Sequence, residues 1–242
     1  MQRSLVGLGQ LRPDDAAITP GDGASAEPAP VGALVVEPDW LRRPATPEAP
    51  PATLNPSRAA APPHRPNDGD RGRRQTGVLA HALLQRLPDV APERRRAAAR
   101  SFLAAQSGRI AEAMETQLVD SALAVLALPA LAPLFAAGSR AEVAIAGAAP
   151  RDGAPALPFV GRIDRLAVAA DAIYLADYKT GARPLGANPP AYVAQLALYR
   201  AALTALYPDR PTRAFLIWLT GAEAIEIADA ELDAALANLA VG

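Results

Sequence analysis

Asp164, Asp177 and Lys179 are the residues of this chain whose types and spacing point most directly to chemistry. Lys179 is the only lysine among 24 basic residues, and all the others are arginine. A composition that puts arginine wherever a diffuse positive charge suffices leaves lysine where a guanidinium fails. An ammonium is a compact point charge that packs beside a metal and a phosphate oxygen and can shift its pKa, whereas guanidinium is a planar fork that stays protonated. The two aspartates lie in stretches rich in apolar and β-branched residues, Phe159 to Val168 and Ile173 to Tyr178. The small-residue segment Ala169-Ala170-Asp171-Ala172 joins them, so the whole reads as a β-hairpin. With Ala170 and Asp171 as the two loop residues, Asp164 stands opposite Asp177 and Arg162 opposite Lys179. Residues two apart on a strand point the same way, so this register puts both acids and the lysine on one face. Opposed carboxylates repel. A divalent cation between them reverses that sign, and Mg²⁺ takes one or two carboxylates together with water and phosphate oxygens.

The elements that must position these groups follow from residue periodicity after about residue 70. Leucines and alanines recur at helical spacing from about Gln75 to Arg86, Pro92 to Gln106 and Arg109 to Leu126. Strands are predicted near Ala141 to Ile145, Leu157 to Val168 and Ile173 to Tyr178. A helix from about Ala191 to Tyr207, strands near Arg213 to Leu219 and Ala224 to Ile227, and a C-terminal helix from Ala230 complete the order. That is an α/β chain with a mixed β-sheet flanked by helices, and it contains no internal repeat.

Gly161-Arg162-Ile163-Asp164-Arg165 and Asp177-Tyr178-Lys179-Thr180-Gly181 resemble the two metal-binding strands of the PD-(D/E)XK nucleases, within them the RecB-like nuclease domains of double-strand-break repair enzymes. Three further pieces agree in order. Gly77 to Gln85, with His81, is similar to the family's N-terminal helix; Arg140 to Ile145, with Glu142, to the preceding acidic strand; and Ala191 to Tyr199, with Gln195 and Tyr199, to its Q-x-x-x-Y helix. The resemblance implies a restriction-endonuclease-like core and Mg²⁺-dependent phosphodiester hydrolysis, with Mn²⁺ a possible substitute. It implies metal ligation by His81, Asp164, Asp177 and the Tyr178 carbonyl, with Lys179 positioning the attacking water and Glu142 orienting a metal-bound one. Gln195, Tyr199 and Arg162 are assigned to DNA contact, with support of the metal ligands the other role for the Gln195–Tyr199 pair. It further implies an exonuclease of the AddA type acting on single strands at processed DNA ends, with an AddB-like subunit and a helicase motor as partners. Taken singly, His81 is an ordinary packed helix residue, Gln195 and Tyr199 are one half-buried helix face, and Arg94, Arg95, Arg96 and Arg100 are a solvated charge run. A catalytically silent DNA-end-binding or subunit-docking module, and a stand-alone endonuclease, remain alternatives at this stage.

Composition frames the site. The chain has 242 residues, half of them hydrophobic, enough to bury a core. It has no cysteine, which removes disulfides and separates it from the iron-sulfur branch of the superfamily, where four cysteines hold a cluster. A net charge of −1 provides no global attraction to DNA, so affinity must come from local arginines and the metal site. No apolar run spans a membrane, the Leu5 to Leu11 stretch is too short for a signal peptide, and the cytoplasm is the expected compartment. Residues 1–70 hold 13 of the 25 prolines and read as a mostly disordered, Pro/Ala-rich linker with a short ordered patch at Gly32 to Leu41, ahead of a nuclease domain at 71–242. The sequence contains no G-x-x-x-x-G-K-[ST] phosphate loop, so these residues carry no DNA-unwinding motor.

Overall fold

The segment from Arg140 to Lys179 folds as three antiparallel strands, β1 (Arg140–Ala149), β2 (Leu157–Val168) and β3 (Ile173–Lys179). The β2–β3 register pairs Arg165 with Ala176 and Val168 with Ile173, as expected for a loop centred on Ala170 and Asp171. Ala169 N–H closes that turn on Ala172 O at 3.0 Å. These coordinates are a computed structural model, which describes residues 53–56, 68–106, 110–151, 153 and 155–240.

Six of the seven residues of β3 are buried, so it needs cover on both faces. Helix α4 (Pro190–Leu206) provides one cover and also the crossover that makes β4 (Thr212–Trp218) parallel to β3. Strand β5 (Glu223–Ile227) returns antiparallel, for a five-stranded mixed sheet in the order β1-β2-β3-β4-β5, and α5 (Asp229–Ala240) packs beside α4. The other face is covered by α1 (Asp68–Arg86), α2 (Arg95–Ala104) and α3 (Glu112–Leu126). Alternation along β3 and β4 sorts the core. Tyr174, Ala176, Tyr178, Phe215 and Ile217 turn to the α1–α3 layer, and Ile173, Leu175, Ala214 and Leu216 to the α4–α5 layer. The expected restriction-endonuclease-like architecture is what forms.

Strand β2 breaks this alternation at one level. Ile163 and Leu166, three apart, both pack on the α4 side, while Arg165 and Ala167 turn to the other. Same-face residues in a regular strand are an even number apart, so one residue is out of phase between them. The residue in that interval is Asp164. On β1 the pairings Ala141 with Arg165 and Val143 with Ile163 skip Glu142, whose φ of 55° is left-handed. Non-glycine residues rarely adopt such a φ, which is strain that the surrounding sheet must hold.

Some expectations shift. Helix α1 begins at Asp68 rather than near Gln75, and the second helix resolves into a 3-10 turn (Pro92–Arg94) followed by α2. A 3-10 helix at Pro129–Phe135 was not anticipated. It buries Leu131 and Leu134 completely, and the buried Arg165 locks it to the sheet by donating to Leu134 O at 2.9 Å and Ser139 Oγ at 2.6 Å. The arginine run is partly structural: Arg95 Nε donates to Val90 O at 2.9 Å and Arg96 pairs with Asp120 at 2.7 Å, with Arg94 and Arg100 exposed. Within the stretch read as linker, Leu54 bridges to β2, its N–H donating to Pro158 O at 2.9 Å and its carbonyl accepting from Val160 N–H at 3.3 Å. Apart from residues 53–56, that stretch before Asp68, including the patch at 32–41, lies outside the described residues. Among the described residues no single helix is long and apolar enough to cross a membrane.

Candidate metal centre

The β2–β3 ladder ends at Arg165 and Ala176, one position short of the two acids. Beyond it the carboxylate of Asp164 takes the place of a main-chain acceptor, and Tyr178 N–H donates to its Oδ2 at 2.7 Å. The expected single face carrying both acids therefore does not form. The phase slip at Asp164 turns it toward the α1 layer, while Asp177 keeps the phase of Leu175 and faces α4. Arg162 likewise does not pair across the hairpin with Lys179.

On the α1 side, His81 Nδ1 lies 3.5 Å from Asp164 Oδ1. One ligand atom each from His81, Glu142 and Asp164 lie within 4.8 Å of one another. These three side chains come from three elements, with Glu142 and Asp164 22 positions apart and His81 61 and 83 positions before them, so only the docking of α1 across the sheet and the slip opposite Glu142 bring them together. The His81 ring is fixed edge-on against Tyr178, with centroids 5.4 Å apart. Burial opposes a charge on His81, but its hydrogen bond to Asp164 and the carboxylates of Asp164, Asp177 and Glu142 outweigh this and hold its pKa above that of an ordinary histidine. The pocket is thus organised to gather positive charge. One imidazole nitrogen with two carboxylate oxygens is a donor set that suits a divalent cation with positions left for water and substrate.

Asp177 stands apart from that trio. It is 4% exposed, its Oδ2 lies 2.5 Å from Lys179 Nζ, and its Oδ1 accepts from Gln195 Nε2 at 2.9 Å. Burial pushes its pKa up to about 6, with the Lys179 charge pulling the other way and Asp164 adding to the rise. Lys179 Nζ also lies 3.5 Å from Gln195 Oε1 and 3.9 Å from the centroid of the Tyr192 ring, which leans on Trp218. Tyr192 received no role from sequence reasoning. Its signal was its position three residues before Gln195, which puts both on one helix face, and a cation over an aromatic face is an electrostatic attraction.

The residues assigned to DNA contact divide. Tyr199 is fully buried and Gln195 is 5% exposed, so neither offers surface to a strand. Tyr199 OH accepts from Arg162 N–H at 3.2 Å and from Gln195 Nε2 at 3.3 Å, which makes the pair an internal strut behind Asp177. Only the exposed Arg162 guanidinium remains available, and it lies 3.3 Å from Glu142 Oε2. The glycine of the G-R-I-D motif has a reason here: a Cβ at Gly161 would meet the Tyr199 ring and hydroxyl at 2.6 Å. Gly161→Ala should therefore destabilise the fold by about 1–3 kcal/mol through overpacking, read from the midpoint of denaturant unfolding, and should lower activity by displacing the Tyr199–Gln195–Asp177 strut.

A mixed five-stranded sheet with an acid on β2, an acid-x-lysine on β3 and a histidine from the preceding helix defines the class of restriction-endonuclease-like proteins. The model of the PD-(D/E)XK nuclease superfamily matches residues 57–239, and the chain belongs to that superfamily. No curated protein gives a significant match. Among solved structures, a chain described as "Crystal structure of SSO0001" is similar at 16% identity over 69% of this chain and 81% of that one, with a TM-score of 0.29, at which the likeness carries no weight.

Proposed function

We propose that this domain is a cation-dependent deoxyribonuclease that trims DNA at broken ends, an exonuclease of the AddA and RecB type working with a helicase motor and an AddB-like subunit. The observation that carries the reading is the convergence of His81, Glu142 and Asp164 beside the buried Asp177 and its half-buried partner Lys179.

Asp164, Glu142 and His81 would hold Mg²⁺ or Mn²⁺ together with the Tyr178 carbonyl, and Asp177 would join the shell from the β3 side by turning from Gln195. A cation bound there would supply Lewis acidity toward a phosphate oxygen and make a nucleophile of water at neutral pH. Lys179 would hold its ammonium against the non-bridging oxygens of the scissile phosphate and pass a proton to or from the attacking water. Gln195, Tyr192 and Asp177 fix where that ammonium sits, and preorganised charge of this kind needs no rearrangement as the reaction proceeds. Arg162, exposed at the rim, would meet a neighbouring phosphate once Glu142 turns to the cation.

The test uses linear and covalently closed circular DNA with Mg²⁺. The expected outcome is progressive loss of the linear form with the closed circle spared, and at least a hundredfold loss of rate in Asp177→Asn, which keeps an acceptor for Gln195. Cutting of the closed circle identifies an endonuclease instead. Binding of ends without hydrolysis identifies the silent module.

A further inference from the structure

We infer that the cavity between α1, α3 and the ends of β3 and β4 seats a nucleobase of the strand whose phosphate lies at the metal centre. This inference rests on the nuclease reading above and names where its substrate's uncharged part goes. The cavity has a volume of about 470 Å³, within the range of roughly 300–1,000 Å³ typical of small-molecule sites.

Position is the first argument. The cavity wall includes Thr180, which follows Lys179, and Ala80, which precedes His81. Consecutive Cα atoms are about 3.8 Å apart, so the cavity runs beside the metal centre along α1 and the end of β3, while the Lys179 side chain itself turns away from it to α4. It lies on the same layer of the sheet as His81 and the displaced Asp164. The hydrogen bond from Thr220 Oγ1 to Thr180 O, at 3.0 Å, ties together the two strand ends that close it.

Chemistry is the second. The centre next door is crowded with charge, yet none of the described residues lining the cavity carries one. The described lining offers no cation to a phosphate, and its apolar wall suits a flat, neutral base. Leu79, Leu118 and Leu219, each 5–6% exposed, form the apolar floor, and Met114 stands at the mouth, 36% exposed. The described wall is aliphatic, so a base would pack on it by apolar contact, which any of the four bases can make with its flat face. The exposed amides of Gln75 and Gln117 stand among the lining residues, each with a donor and an acceptor able to meet the edge of a base. On α3, Met114, Gln117, Leu118 and Ser121 follow at spacings of three and four and so share one face of that helix. A cofactor-like small molecule would gain nothing from a place beside the layer that holds His81 and Asp164. A nucleotide next to the scissile phosphate does, since its sugar and phosphate are already there.

The experiment walks a single abasic nucleotide through the positions flanking the cleaved bond of a single-stranded oligonucleotide, with Mg²⁺. The same positions are then labelled one at a time with 2-aminopurine, with Ca²⁺ replacing Mg²⁺. Gln117→Trp fills the cavity from an exposed helix position, so its fold is spared, which its unfolding midpoint checks. In the wild type, loss of the base at one position should lower kcat/KM about tenfold. Gln117→Trp should show a similar loss on intact substrate, no further loss on the abasic one, and no 2-aminopurine fluorescence change at that position. Cleavage indifferent to every abasic position, with Gln117→Trp as active as wild type, overturns the inference and leaves the nuclease reading standing. A 2-aminopurine change that Gln117→Trp abolishes, in a protein that hydrolyses nothing, upholds the base site and overturns the nuclease reading. Absence of both signals overturns both.

Discussion

Lys179→Arg is expected to lower DNA hydrolysis by a factor of about 10²–10³, the size of effect seen when one charge-stabilising group is removed from a preorganised site, while the protein stays folded. The substitution keeps the positive charge, so only shape and proton chemistry are at stake. Lys179 Nζ occupies a space bounded by Asp177 Oδ2 at 2.5 Å, the Tyr192 ring at 3.9 Å and Gln195 Oε1 at 3.5 Å, and its side chain is only 16% exposed. A point charge fits there. A planar guanidinium pairs with Asp177 through a fork, cannot lie on Tyr192 and meet that carboxylate from the same position, and does not release a proton. Single-turnover rates at saturating Mg²⁺, compared with the wild type, give the answer. Cleavage at near wild-type rate by the arginine variant would show that the lone lysine is incidental.

The comparison with Lys179→Ala shows why arginine is the sharper probe. From the sequence, Asp164 and Asp177 are an opposed, repelling pair. The structure replaces that picture: Asp177 is buried, and Lys179 and Gln195 compensate it. Removing the lysine leaves a buried carboxylate without its counter-ion, a change that costs about 3–5 kcal/mol when a buried pair is broken. Inactivity of the alanine variant would then mix chemistry with folding.

Strand positions, the hairpin register and the crossover helix were legible because period-2 and period-3.6 patterns report burial directly. Six of the seven residues of β3 are buried, and all of these but Asp177 are apolar or aromatic, which leaves little ambiguity. What the patterns could not report is where alternation fails. The slip at Asp164 and the left-handed Glu142 opposite it are a property of two strands meeting, so neither strand shows it alone. The slip decides the site, because it sends one acid to α1 and leaves the other with α4. The 3-10 helix at Pro129–Phe135 was hidden for a different reason: its two prolines read as breakers, and its anchor, Arg165, lies 31 positions from the carbonyl that it holds. The sequence leaves Gln195 and Tyr199 between DNA contact and support of the metal ligands, since helical spacing says which residues share a face and not which layer that face meets; their burial behind Asp177 favours support.

Mg²⁺ or Mn²⁺ should raise the melting temperature of the wild type, and Asp164→Asn should abolish the rise. A ligand bound only by the folded state at a hundred times its Kd stabilises by about 2.7 kcal/mol, or about 5–10 °C for a domain of this size. Asparagine is the decisive replacement because Asp164 does two things. Its Oδ2 accepts Tyr178 N–H, and its charge draws His81. Asp164→Ala loses both and leaves a main-chain donor without its acceptor, a cost of about 1–3 kcal/mol even without metal. Asp164→Asn keeps an oxygen for Tyr178 and loses only the anionic ligand, so its metal-free melting temperature should stay near that of the wild type. His81→Ala removes the nitrogen ligand alone and should shrink the metal-induced rise while leaving the Tyr178 hydrogen bond untouched. Differential scanning fluorimetry with and without Mn²⁺, on the wild type and these three variants, separates the roles. An equal rise in Asp164→Asn and wild type would place the cation away from His81, Glu142 and Asp164, and the role of α1 would reduce to packing against Tyr178.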